Sequence, residues 1–370
     1  MDEKHDPVAS AAENDRDLYD VASWEPRSSL DRVSVSLYGF LLRAARALVV
    51  LVGLLILVVE FALTGLATIA DPVVGVFILL SVAPALGIAV YLWRADVTKR
   101  EPLGTMLVTF ILGVLFASFA AVLNSIGDPL STVPLVGLAL FYYLVVAPVE
   151  ETVKWLAVRL YAFGRPEFDD VIDGAVYGAV AGLGFATIEN AIYIGGAYLE
   201  VARAGGSPLT ATFSQATVRT FAGPGHVIYS AFAGYYLGLA KYNRERAGPI
   251  VVKGLLIAAI AHGTYNTLVG IVPDVVSAVT GIGWPVAFIG FVVAFDGVLG
   301  YLLYRKIARY REVYRETNGG GGGPEATASD TRTIGKRPDE PDPTSEEDPA
   351  IRESVDSESG PAEFPEEHRE

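Results

Sequence analysis

The run ALVVLVGLLILVVEFALTGLATIA, residues 47–70, is the first of several stretches of about 20 largely apolar residues in this chain. Each is long enough to cross a hydrocarbon core of ~30 Å at about 1.5 Å per residue. A chain built this way has few folds open to it, because backbone exposed to lipid must satisfy its own hydrogen bonds within helices or a closed barrel. With 52% hydrophobic and 19% charged residues over 370 positions, the sequence reads as an all-α polytopic membrane protein.

Eight spans are expected, near 47–69, 73–93, 103–125, 133–160, 171–198, 212–240, 250–272 and 284–304. The loops give an independent check, since Lys and Arg accumulate on the cytoplasmic side. RADVTKRE, the pair Arg159 and Arg165, KYNRERAGP and YRKIARYRE fall at one end of the spans. TGLATIADP, SIGDPLSTVP and VPDVVSAVTGIG fall at the other and contain no Lys or Arg, and the fifth–sixth loop has only Arg203. The alternation places both termini in the cytoplasm. No internal repeat is evident, which weighs against a transporter built of inverted halves.

The flanks differ in kind from the spans. Residues 1–35 read as a polar, disordered arm, 36–315 as the transmembrane domain, and 316–370 as an acidic disordered tail opening with a glycine run. From Glu316 onward there are 16 Asp/Glu and 5 Lys/Arg, so the tail holds −11 of the net charge of −14. An acidic tail in a chain with few lysines suggests a high-salt cytoplasm, such as that of a halophilic archaeon. There are no cysteines, so disulfides and thiolate metal sites are excluded. Nothing points to a nucleic-acid partner.

The informative residues are the ionisable ones inside the apolar spans. Glu150, Glu151 and Lys154 lie in the fourth, Glu189 in the fifth, Arg219 and His226 in the sixth, His262 and Asn266 in the seventh and Asp296 in the eighth. One charge at the bilayer centre costs about 2.5–3.5 kcal/mol on insertion scales, so several left unpaired would cost on the order of 10 kcal/mol. They must converge on one another, on water or on a metal. Running the spans alternately in and out sets Glu150, His226 and His262 near mid-membrane, with Glu189 nearer the outside. Lys154 lies three and four residues from the two glutamates and can reach either. Asp296 is a candidate supporting group, Glu60 lies toward the interface and is expected to be solvated, and Pro224 is expected to kink the sixth span beside His226.

Imidazole and carboxylate together form the usual ligand set for Zn²⁺ or a similar divalent cation, which would activate a water. The same groups could work without metal, a glutamate polarising water and a histidine or asparagine holding the oxyanion. A single Glu–Lys pair in a membrane helix is as often structural as functional. Two histidines, three carboxylates and a lysine at similar depth are harder to assign to packing.

Four motifs fall in order along these spans: EETVK (Glu150–Lys154), FATIEN (Phe185–Asn190), RTFAGPGH (Arg219–His226) and HGTYN (His262–Asn266). Together with DVTKREP and RPEFDDVIDGAVYGAVAGLGF, they make residues 90–270 resemble the PrsW family of intramembrane proteases. That family is related to the type II CAAX prenyl endopeptidases and the bacterial immunity-type membrane proteins. The resemblance implies a multi-pass cell-membrane endopeptidase acting on a membrane-protein substrate, expected to be single-span, at or within the bilayer. It implies Glu150 as general base on a water, Glu151 beside it paired with Lys154 (the two roles being reversible), and Asn266 on the oxyanion. It also implies Glu189, His226 and His262 around a divalent metal, expected to be Zn²⁺ if one is used at all, with Asn190 and Arg219 in support. The prenyl enzymes carry His where Glu189 stands, so a prenyl-protein substrate is not expected. The rival readings are a non-catalytic scaffold of the same fold and an ion-coupled transporter.

Overall fold

The computed structural model describes residues 17, 19, 20 and 24–319; most of the N-terminal arm and all but the first few residues of the acidic tail lie outside them. The described residues form ten helices: α1 Ser29–Ala70, α2 Pro72–Ala95, α3 Leu103–Gly127, α4 Gly137–Phe141, α5 Ala147–Leu160, α6 Val171–Arg203, α7 Pro208–Lys241, α8 Ala247–Val269, α9 Val272–Thr280 and α10 Trp284–Gly319. The first helix begins inside the segment expected to be a disordered arm. Ser28 is the reason: its hydroxyl accepts from Asp31 N–H while the Asp31 carboxylate accepts from Ser28 N–H, a reciprocal cap that satisfies two otherwise orphaned donors.

Among the described residues, six helical segments are long and apolar enough to cross a membrane: Val50–Ala70, Pro72–Ala95, Leu103–Thr132, Val171–Arg203, Arg244–Thr280 and Trp284–Thr317. The other two expected spans are also helical, over 137–160 and Pro208–Lys241, but they are the polar ones. The helices least suited to lipid are thus those that carry most of the ionisable residues.

Local chemistry sets the breaks. Asp71 ends α1 and its side chain caps Val73 N–H, with Pro72 at the first position of α2, so the turn takes a single residue. Between α4 and α5 the helix widens into a π turn over Tyr142–Val146. Pro148 follows immediately; it has no N–H to donate and its ring crowds the preceding turn, and a wider turn relieves both. Such π turns often lie beside functional sites, and here Glu150 comes four residues after the turn ends. VPDVVSAVT, expected as loop, is helical because Pro273 and Asp274 suit a first turn and Gly281, at φ +75°, supplies a left-handed stop.

The core is the α6–α7 pair. Helix α6 is buried over nearly all of its apolar stretch. Its glycines at 174, 178 and 182 sit against the backbone carbonyls of Gly234, Ser230 and His226, leaving no room for a Cβ. A small-residue stripe of this kind lets two helices approach until their backbones touch, and α3 adds a second contact of the same type through Gly113 and Gly184. Helix α7 runs on through Pro224. The close approach has a functional consequence: it brings His226 on α7 against α6 at Gly182 and, two turns further on, lets Glu189 reach it.

Candidate active site

Lys154 is the centre of the polar cluster. Its side chain is fully buried, with Nζ 2.8 Å from Glu151 Oε1, 2.9 Å from His226 Nδ1 and 3.6 Å from Glu150 Oε2. It also stands 4.1 Å from the ring centroid of Phe185. One ammonium therefore ties α5 to α7, against α6.

The two adjacent glutamates have different environments. Glu151 is saturated: Oε1 accepts from Lys154 and lies 2.9 Å from His262 Nδ1, and Oε2 accepts from Ser230 Oγ at 3.3 Å. Glu150 Oε1 accepts from Asn124 Nδ2 at 3.0 Å, but Oε2 is buried without a hydrogen-bond partner. Its nearest cationic atom, Lys154 Nζ, stands beyond hydrogen-bond range.

The histidine tautomers follow from these partners. An ammonium has only protons to offer, so His226 Nδ1 accepts from Lys154 and Nε2–H donates to Glu189 Oε2, 2.9 Å away. Glu151 has only lone pairs to offer, so His262 carries its proton on Nδ1 and its Nε2 is a bare lone pair. That lone pair faces Glu150 Oε2 at 3.8 Å. Two buried lone pairs facing each other repel unless a proton or a cation lies between them. The carboxylate behind His262 is the arrangement that commonly fixes a metal-binding imidazole. The two rings are 5.1 Å apart and nearly perpendicular, and ligand atoms of Glu150, His226 and His262 all lie within 4.8 Å of one another. His262 Nε2 is already bare, and His226 Nε2 becomes a ligand once an ion takes the place of the proton it shares with Glu189. With that exchange, two imidazoles and a carboxylate suit Zn²⁺ or a related ion, and the residues present fit a metal.

Glu189 is held from the other side. Arg219 Nη2 donates to Glu189 Oε2 at 2.6 Å, Arg219 Nε donates to Asn190 Oδ1 at 2.8 Å, and the guanidinium lies over the Tyr193 ring. Asn190 in turn donates to Ser81 Oγ on α2. Asn190 is therefore a brace for Arg219.

The cluster borders a cavity of about 540 Å³, with Glu151, Lys154, Ser230 and Asn190 set behind its lining. It is lined by Glu150, Glu189, Arg219, His226, His262 and Asn266 on the reactive side, and reaches Ser125 in the last turn of α3 and Asp128 just after it, at the Lys/Arg-free end. Asn266 thus borders the same space as Glu150. Asp296 accepts from Tyr229 OH at 2.8 Å, and the Tyr229 ring packs on His262, so α10 supports the cluster through one intermediary. Glu60 is not simply solvated: it is half-buried and accepts from Ser118 Oγ at 2.7 Å.

Two contributors were not anticipated from sequence, Asn124 and Ser230. Ser230 lies four residues after His226 on one helix face, a spacing that could have marked it. Asn124 ends an apolar run next to a loop, where a polar residue attracts no notice.

A sequence profile described as PrsW family intramembrane metalloprotease matches residues 101–298. That stretch begins at Glu101, continues into α10 and takes in Asp296. Similar proteins, each named Protease PrsW, occur in Geobacillus kaustophilus (30% identical over 191 residues, 50% of this chain and 76% of that protein), Shouchella clausii (28% over 189 residues, 51% and 81%) and Bacillus subtilis (27% over 192 residues, 50% and 78%). No solved structure matches the chain. These relatives are bacterial and lend no support to the haloarchaeal source suggested by composition. The six apolar helices make it a multi-pass membrane protein, and with more than half of its length matched, the chain belongs to the PrsW family of intramembrane metalloproteases.

Proposed function

We propose that this protein hydrolyses a peptide bond of a membrane-protein substrate inside the cavity above Glu150, with both chain termini cytoplasmic and eight spans in the bilayer. The observation that carries the mechanism is Glu150 Oε2, a buried carboxylate oxygen with no hydrogen-bond partner, bordering the cavity next to a bare imidazole nitrogen. Glu150 takes the proton of the attacking water, and Asn124 keeps its carboxylate oriented. Glu151 and Lys154 do no bond-making; they hold His262 and His226 in their tautomers. Asn266 donates to the oxygen that becomes negative as the carbonyl turns tetrahedral. His226 and His262, with Glu189, would hold the divalent ion, the His226 Nε2 proton leaving as the ion enters; when bound it would polarise the carbonyl and lower the pKa of water. Because the cavity runs to the Lys/Arg-free end, a single-span substrate is cut toward the outer face.

A second reading has one observation in its favour. Glu150, and not Glu189, shares ligand spacing with the two histidines, so Glu150 could complete the ion's shell and Glu189, braced by Arg219, take the proton. One experiment separates these and tests the whole. Wild type, Glu150→Gln and Glu189→Gln are purified in detergent, assayed for bound metal, and incubated in proteoliposomes with a panel of single-span membrane proteins, new termini being read by mass spectrometry. Glu150 as base predicts that Glu150→Gln keeps its metal and loses cleavage; loss of metal in that variant assigns it to the ion instead. Wild-type cleavage by Glu150→Gln rejects both readings. A metal-free, active wild type removes the ion and leaves a glutamate-activated water.

A further inference from the structure

A second cluster of carboxylates lies at the other end of the bundle, where the basic loops are, and the proteolytic reading makes no use of it. Asp96 ends α2, Glu101 precedes α3, and Asp170 and Asp173 open α6. These are four of the six acidic residues of the DVTKREP and RPEFDDVIDG stretches, the others being Glu167 and Asp169. Asp173 lies 16 residues before Glu189 on the same helix, about 24 Å along its axis, so the two clusters are separate.

The hydrogen bonding has a regular asymmetry. One oxygen of each carboxylate is committed to the chain. Asp96 Oδ1 accepts from Thr98 N and Oγ1; Asp170 Oδ1 accepts from Ile172 N and Asp173 N; Asp173 Oδ2 accepts from Asp169 N and Asp170 N; Glu101 Oε2 accepts from Tyr177 OH. The other oxygen of each, Asp96 Oδ2, Glu101 Oε1, Asp170 Oδ2 and Asp173 Oδ1, is buried with no hydrogen-bond partner. Glu101, Asp170 and Asp173 are all more than nine-tenths buried. Ligand oxygens of Asp96, Asp170 and Asp173 lie within 4.8 Å of one another, and the Glu101 carboxyl adjoins that of Asp173. The nearby ammonium of Lys241 donates elsewhere, to the carbonyls of Phe163 and Phe168.

Buried polar atoms without partners are rare, and each calls for an explanation such as an ion. Four buried carboxylate oxygens without hydrogen-bond partners, three of their carboxylates offering ligand atoms within 4.8 Å of one another, are explained together by one cation. We propose that Asp96, Asp170 and Asp173, with Glu101 beside them, bind a hard divalent cation of the Ca²⁺/Mg²⁺ class. The donor set is entirely oxygen, which suits those ions and disfavours Zn²⁺ or copper. Oxygens within 4.8 Å of one another can share an ion bonded at about 2.3–2.6 Å, and a smaller ion if the cluster contracts. The ion clamps the ends of α2 and α6 and the loop leading into α3. It acts on the seating of α6, not on the reaction.

The test uses the full chain in detergent, stripped with chelator, with thermal unfolding followed while Ca²⁺, Mg²⁺ or Zn²⁺ is added. Wild type and His226→Ala should both gain several degrees in Tm with Ca²⁺ or Mg²⁺, which separates this site from the histidine site. The ion giving the larger shift at lower concentration names the resident metal. Asp96→Asn and Glu101→Gln should shift the half-saturating concentration upward by about tenfold or more, since affinity follows the number of charged ligands. A wild-type Tm indifferent to Ca²⁺ and Mg²⁺, or an equal response in wild type and both variants, overturns the proposal. So does a Tm that rises with added acid and ignores the cations, because the carboxyls would then be neutralised by protons.

Discussion

The two carboxylate clusters are built on opposite principles. Around Lys154, each carboxylate has a nitrogen partner on one oxygen: Glu151 has Lys154 and His262, Glu189 has Arg219 and His226, and Glu150 has Asn124. At the start of α6, carboxylates meet carboxylates, and four oxygens have no donor. The first cluster balances its charge with its own side chains, and one buried oxygen, Glu150 Oε2, is left without a hydrogen-bond partner. The second cannot balance itself. A site that must change its protonation during a reaction benefits from internal partners which hold geometry throughout; a site that only clamps an ion needs bare oxygens and nothing else.

The largest effect should come from removing the one uncommitted oxygen as a base. Glu150→Gln keeps the shape and the Asn124 contact, and cleavage should fall by about 10²–10⁴-fold, the usual worth of general-base catalysis. The unfolding midpoint should stay within a degree or two of wild type. A fall in stability comparable to the fall in rate would mean that Glu150 belongs to the scaffold.

Breaking the internal balance should cost stability. Lys154→Met leaves Glu151 as a buried charge facing His262 and Ser230 alone, and removing one partner of a buried ion pair costs about 3–5 kcal/mol. Reversible unfolding in mixed micelles measures it. A loss under about 1 kcal/mol would show that water replaces the ammonium and that the cluster is wetter than its burial implies.

Much of the reactive cluster was legible in the sequence because membrane spans make polar residues conspicuous. Glu150, Lys154, His226 and His262 stand out against leucines and valines, and alternating the spans already puts them at one depth. What the sequence could not show is division of labour. Glu150 and Glu151 are neighbours with the same side chain, and only their turn positions on α5 give one three partner atoms and leave the other an open oxygen. Helix character was equally uneven. The six apolar segments were evident from composition, whereas the π turn before Pro148, the helix at Val272–Thr280 and the start at Ser29 depend on caps and single prolines that hydropathy does not weigh. The acidic cluster was visible only as part of a resemblance, since its members are separated by some 75 residues of chain between Asp96 and Asp170 and become neighbours only when α2 packs on α6.

The contrast predicts a difference in sign. In chelator, Asp173→Asn should stabilise the protein by about 1–3 kcal/mol, the range for relieving a buried unsatisfied polar group. The amide keeps one oxygen for the Asp169 and Asp170 N–H groups and presents donors to the carboxylates opposite. With saturating Ca²⁺ or Mg²⁺ the same substitution should destabilise relative to wild type. Glu151→Gln, by contrast, should destabilise under both conditions. Paired unfolding curves with and without cation decide it, and a change of the same sign at both clusters would erase the distinction between them.

The smallest effect, and the finest probe of Glu150, is Asn124→Ala. It removes one hydrogen bond, from Asn124 Nδ2 to Glu150 Oε1 at 3.0 Å, worth about 0.5–1.5 kcal/mol in a neutral pair and up to about 3 kcal/mol to a charged group. If Glu150 is the base, that bond aims its free oxygen, so kcat should fall by roughly tenfold with KM and bound metal unchanged. If Glu150 instead completes the ion's shell, the same bond orients a ligand, and loss of such a contact typically weakens metal affinity by about 10–100-fold. The metal titration of this one variant therefore reads the role of Glu150 without altering Glu150 itself, which no substitution at position 150 can do.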